Sequence, residues 1–159
     1  MRVLIFFYLL PSCYCQGFSE DIQGFLEDIH GFLDHPGIGW LQSTGAWGWF
    51  YCNRRLFDNA KVWIYDKENI KDAMLSGPEK SNRNGSGYSN FRIVGTTREI
   101  SKIEPYLYVE HWCNRKKGQT PIHFCLDIPS QYVTYGSHAK NLWHLEMELS
   151  KKQEGQRSC

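Results

Sequence analysis

Three things are missing from this sequence of 159 residues, and each removes a class of function. Charge of one sign is not in excess: 18 Lys and Arg stand against 17 Asp and Glu, a net charge of +1. Neutralising a phosphate backbone takes a clear basic excess, so nucleic acid is not an expected partner. Long apolar runs are also missing. Val3–Leu10 (VLIFFYLL) has only eight residues, whereas a membrane-spanning helix needs roughly 20. No later stretch does better, so no transmembrane anchoring is expected. Finally, no G-x-S-x-G, H-E-x-x-H or phosphate-cradling glycine loop occurs, which leaves no catalytic set and no cofactor to expect. What remains, 42% hydrophobic and 22% charged, is the composition of an ordinary globular chain. Its length fits a single domain plus extras.

The N-terminus has the order of a secretory signal peptide. Met1-Arg2 supplies a positive start, Val3–Leu10 the apolar core and Pro11 its end, followed by Ser12, Cys13, Cys15 and Gly17. Residues 1–17 are therefore read as a leader, cleaved after Cys15 or Gly17; the competing reading is a buried first strand. Export implies an oxidising, extracellular destination. Removing the leader takes Cys13 and Cys15 with it and leaves Cys52, Cys113, Cys125 and Cys159. An even number of cysteines in an oxidising route reads as two disulfides. Asn84-Gly85-Ser86 is the only glycosylation sequon, in a polar stretch that would tolerate a glycan.

Residues 18–47 differ from the rest of the chain. DIQGFLE (residues 21–27) is repeated almost unchanged as DIHGFLD (28–34), and Ile22, Phe25, Leu26, Ile29, Phe32 and Leu33 form one stripe at helical spacing. Gly24 and Gly31 each weaken such a helix by up to about 1 kcal/mol, and His35-Pro36-Gly37 would end it. The polar side carries Glu20, Asp21, Glu27, Asp28 and Asp34, which anionic lipid would repel. An amphipathic helical N-terminal extension fits better than a membrane-lying helix. From Gly48 onward the period changes to two. Val62 and Ile64 alternate with Trp63 and Tyr65; Tyr106 to Val109 and Phe124 to Ile128 behave alike. Trp143, Leu145, Met147 and Leu149 interleave with His144, Glu146 and Glu148, the pattern of a half-buried strand. Asn69 to Leu75 reads as one short helix. With turns marked at Asp58-Asn59, Asn84-Gly85, Gly118 and Pro129, these short strands predict an all-β sandwich.

Several ordered motifs then resemble the nematode transthyretin-like proteins. Gly48-Trp49-Phe50-Tyr51-Cys52 is similar to that family's G-x-L-x-C strand, and Ala60 to Asp66 to its v-x-V-x-L-Y-D strand. Phe91 to Gly95 is similar to F-x-L-x-G, and Glu99 falls where the family has its glutamate. The most specific piece, Ile103-Glu104-Pro105-Tyr106-Leu107-Tyr108-Val109-Glu110-His111-Trp112-Cys113, resembles I-d-P-x-L-x-I-y-H-x-C. Ile128 to Val133 resembles I-P-d-x-Y-v, and the terminal Gln156-Arg157-Ser158-Cys159 an ending in R-d-C. The resemblance covers residues 48–159 and implies a prealbumin-like (Ig-like) β-sandwich exported from the cell. Residues 18–47 lie outside it, and the turn from Asn84 to Phe91 is about four residues longer than the family's. The family's third cysteine belongs near Thr120, where this chain has Cys125 instead.

Two constellations raise chemical alternatives. His111-Trp112-Cys113 and His123-Phe124-Cys125 flank the loop 114–122. Across a hairpin, two His and two Cys could converge on zinc, or Cys113 could pair with Cys125, leaving Cys52 for Cys159. Parity opposes that bridge, because Cys125 alternates against Phe124, Leu126 and Ile128; a bulge or a loop end would be needed. The connectivity stays open. His144 beside Glu146 and Glu148 suggests acid–base work or a metal, but an exposed strand face explains it better. Relatives of transthyretin include a hydrolase of 5-hydroxyisourate with a Tyr-Arg-Gly-Ser terminus; this chain ends Gln-Arg-Ser-Cys, and a shared fold implies no catalysis. Arg54-Arg55 and Arg115-Lys116-Lys117 are the candidate contacts for an anionic ligand. The expectation is a non-enzymatic extracellular binding or bridging protein for a lipid or cell-surface protein ligand. Its alternatives are an oligomeric carrier of small hydrophobic ligands, which needs a tetramer, and a metal-binding domain.

Overall fold

The computed structural model describes residues 39–82, 89–152 and 154–159. The leader, residues 18–38 of the extension and Asn84 lie outside these residues. Nine strands follow one another: β1 (Trp40–Cys52), β2 (Arg55–Leu56), β3 (Lys61–Asp66), β4 (Ala73–Lys80), β5 (Phe91–Glu99), β6 (Pro105–His111), β7 (Ile122–Asp127), β8 (Thr134–Tyr135) and β9 (Trp143–Glu148).

They form two sheets. β1 is the spine of the first: β5 and β2 pair along one side of it, β8 and β9 along the other. Only β9 runs parallel to it. The second sheet has the order β4-β3-β6-β7, all antiparallel. Between them lie Ala46 and Phe50 of β1, Phe91 and Ile93 of β5, and Leu145 and Met147 of β9 on one side. Val62 and Ile64 of β3, Leu107 and Val109 of β6, and Phe124 and Leu126 of β7 face them. Phe50 and Phe91 stack with centroids 4.5 Å apart. Each alternating run read from the sequence thus turns its apolar parity inward. This is the expected all-β sandwich, two packed sheets with the core between them.

Two expectations need correction. The first strand begins at Trp40, eight residues ahead of the Gly48 boundary, so residues 40–47 belong to the sandwich and not to an extension. Residues 69–75 form no helix: a bend leads into β4, and the sole helical element among the described residues is a 3-10 turn at Ser130–Tyr132. The reason is local. Asp72 accepts the Glu68 amide at 3.1 Å through Oδ1 and the Tyr106 hydroxyl at 2.6 Å through Oδ2, which closes a turn where a helix would have to continue. The chain then runs as an edge strand, the place in a sheet where Pro78 is tolerated.

Candidate functional site

At one end of the sandwich, two loops that lie far apart in sequence are tied together. β1 ends at Cys52 and turns back through Asn53 and Arg54 into β2, with Cys52 paired to Arg55. A two-residue hairpin loop matches the twist of its strands when both residues have positive φ, and here φ is 53° for Asn53 and 63° for Arg54. Asparagine adopts that region readily; arginine does so at a cost. Glu148, on the neighbouring β9, holds the turn: its carboxylate accepts the Asn53 amide at 3.0 Å and the Arg54 amide at 2.8 Å. Ser150 donates to the same carboxylate from its amide at 3.0 Å and its hydroxyl at 2.7 Å. Partial burial pushes the Glu148 carboxyl up, but the hydrogen bonds from Ser150, Arg54 and Asn53 more than reverse this and hold it down at about 2.

The second loop joins β6 to β7. Trp112 and Arg115 close one turn (amide to carbonyl, 3.0 Å), and Lys116 and Gln119 the next (3.1 Å). Asn114 takes φ 60° and Gly118 φ 89°. Cys113 at its root is bonded to Cys52, with Cα atoms 5.7 Å apart, and the Asn53 side-chain amide donates to Asn114 Oδ1 at 2.7 Å. One covalent bond and one hydrogen bond therefore set Arg54 and Arg55 beside Arg115, Lys116 and Lys117. The five cations singled out in the sequence are brought to one end. Of the five, Arg54 lines a hollow of about 260 Å³, together with Asn53, Glu148, Ser150 and Lys151, which follows β9. Sequence reading missed Lys151 and its neighbour Lys152. The available signal was their place just after a strand whose other members alternate cleanly.

The disulfides are Cys52–Cys113 and Cys125–Cys159, which answers the connectivity that the sequence left open and sets aside a bridge from Cys113 to Cys125. In the β6–β7 register Cys125 stands opposite Tyr108, whereas Cys113 lies beyond the last pair, His111 with Ile122. Cys125 points away from Phe124 and Leu126, as parity required, and is fully covered by the C-terminal tail. The zinc alternative loses both thiolates to these bonds. Among the described residues no group of three or more His, Cys, Asp or Glu could hold a metal ion. His123 stacks on Tyr108 at 5.9 Å. His144 stacks on Trp47 at 4.5 Å, meets Trp49 edge-on and lies 3.7 Å from Glu146, while Glu148 is committed to the turn. Of the suggested acid–base set, His144 and Glu146 are brought together and Glu148 is turned to the hairpin.

Comparison with known proteins agrees with the two-sheet architecture. A profile of the transthyretin-like family matches residues 47–129. Transthyretin-like protein 2 of Caenorhabditis elegans is 34% identical over 134 residues, covering 77% of this chain and 85% of the relative. Transthyretin-like protein 5 of the same organism is 32% identical over 109 residues, or 67% and 74% of the two chains. Transthyretin-like protein 33 is 26% identical over 124 residues. No solved structure matches the chain. With strands, motifs and relatives in agreement over most of its length, the chain belongs to the transthyretin-like family.

Proposed function

We propose that the protein acts outside the cell as a non-enzymatic binding protein that docks on anionic surfaces, lipid headgroups foremost, through its paired basic loops. The observation that carries this reading is the clamp: Cys52–Cys113 and the Asn53–Asn114 hydrogen bond hold Arg54, Arg55, Arg115, Lys116 and Lys117 at one end of a rigid sandwich. Loops on such a scaffold are where binding surfaces are usually built. Cations gathered near a negative surface contribute additively, and salt screens them. Export, read from the leader and the cysteine count, would place the protein where such surfaces are met.

The test is adsorption of the oxidised protein to phosphatidylcholine vesicles carrying anionic lipid, at low salt. Replacing the five cations by glutamine is expected to weaken partitioning by up to several thousandfold, at about 1 kcal/mol per cation, and raising the ionic strength should weaken the parent in the same direction. Unchanged adsorption by the five-residue variant would sink the proposal.

A further inference from the structure

The basic end holds a second concavity, larger than the hollow under Arg54. It measures about 320 Å³ and lies between the end of β6, the start of β7 and the segments on either side of residue 153, near the lower end of the usual range for small-molecule sites. Ser150 and Lys151 line both concavities, so the two adjoin.

Three features of its wall point to one chemistry. The first is His111, which lines the cavity although the residue is only 2% exposed. Its Nδ1 accepts the Cys113 amide at 3.3 Å. A neutral imidazole has one donor and one acceptor nitrogen, so the proton sits on Nε2, and no described residue accepts it. Burial, helped by the charge of Arg115, lowers the ring to about 4, so at neutral pH His111 offers a donor without a charge. The second feature is a pair of cations on the same wall, Lys151 and Lys152, both exposed. Arg157 also lines it, but its guanidinium is bound to Asp127 at 3.0–3.1 Å. The third is that no carboxylate lines the cavity among the described residues. A buried neutral donor and two cations, with no competing acid, suit an oxyanion of charge near −2. Hydrogen bonds to such a group are the strong, charge-assisted kind.

We propose that this cavity receives a phosphate monoester or free phosphate, with His111 Nε2–H donating from its floor and Lys151 and Lys152 holding it from the rim. The inference rests on the reading that this end of the molecule binds anions, and it narrows that reading. The exposed loops would adsorb to any anionic surface, whereas the cavity selects a group with three free oxygens over a diester with two.

The probe is inorganic phosphate, titrated into the oxidised protein while the histidine ring signals are followed by NMR. Saturable movement of the His111 ring is expected. Lys151→Gln with Lys152→Gln should weaken it roughly tenfold or more, and neutralising the five loop cations should leave it in place. The inference is overturned if the His111 ring is unmoved while other signals respond, or if the lysine pair titrates like the parent. Vesicles then identify the source. Preference for phosphatidic acid over phosphatidylserine at matched surface charge, lost in the lysine pair, assigns the group to a lipid. Equal adsorption to both lipids, with His111 still responding to inorganic phosphate, assigns it to the free ion. A five-residue variant that keeps its adsorption while His111 still responds to phosphate would remove the surface-docking reading and leave this one standing.

Discussion

A carboxylate on the outer side of a strand ordinarily faces solvent, yet Glu148 directs both oxygens at the backbone of a turn 94 and 95 residues earlier. That turn places Arg54 in the left-handed region, a conformation that persists only where the surroundings hold it. Glu148→Ala removes the acceptor for four donors, and hydrogen bonds to a charged group are worth about 1.5–3 kcal/mol in protected settings. Discounted for partial exposure, the expected loss is about 1–2 kcal/mol, measured as a lower urea midpoint with an unchanged slope. The pH dependence has a definite sign. The folded carboxyl is depressed from its ordinary 4.5 to about 2, so its contribution is complete above pH 4.5 and fades as the pH falls toward 2. Stability of the parent should drop across that window, and the alanine variant should drop less; parallel curves would show that the charge plays no part. The alternation around Glu148 was legible in the sequence, since Leu145, Met147 and Leu149 do face inward. Its partner was not, because periodicity says which side a residue takes and nothing about which distant turn arrives there.

Elements show the same division more sharply. The strands whose buried faces are apolar were legible: β3, β6, β7 and β9 alternate as read. The first half of β1 was hidden because its buried residues include Gln42, Ser43 and Thr44, which do not register as a hydrophobic face. Burial of the first two is tolerated because Gln42 donates to the Ser101 carbonyl at 2.7 Å and accepts the Ile103 amide at 3.2 Å, and the Ser43 hydroxyl donates to the Gly136 carbonyl at 2.7 Å. The helix expected at 69–75 failed because apolar residues at ambiguous spacing do not distinguish an edge strand after a turn from a helix. The other edge, β7, carries its own consequence. His123, Cys125 and Asp127 share the parity that turns backbone groups away from β6. The tail occupies the middle one, with Cys125 and Arg157 exchanging two hydrogen bonds of 3.0 Å. Cys159, bonded to Cys125, pins it there. An open edge is a template for another chain. Replacing Cys125 by Ala and Cys159 by Ser is therefore expected to release the tail and raise the apparent mass with concentration in light scattering, relative to the parent. A variant no more associated than the parent would show that the edge is protected by other means.

For the whole molecule, the decisive long-range feature is the bond between Cys52 and Cys113, which joins the spine of one sheet to the end of the other. The fold was legible because it is built from local alternation, and the five cations were legible as two short runs. Their meeting was not legible, because it depends on a pairing 61 residues apart that spacing left open. That makes the clamp separable from the charge. Replacing Cys52 and Cys113 by Ala leaves the loop between them open in the unfolded chain and should cost about 4 kcal/mol of stability in the chain-entropy view, while every Lys and Arg stays. If docking needs only charge, a folded Cys52→Ala/Cys113→Ala variant will adsorb to anionic vesicles as the parent does. If it needs the cations side by side, adsorption will fall severalfold at low salt although the net charge is unchanged, because the loops are free to separate and must be ordered again on binding. The second outcome is expected, with near-UV circular dichroism used to confine the comparison to conditions where the variant is folded. Because the variant keeps all five cations, equal adsorption would leave the charges as candidates and remove the clamp from the mechanism.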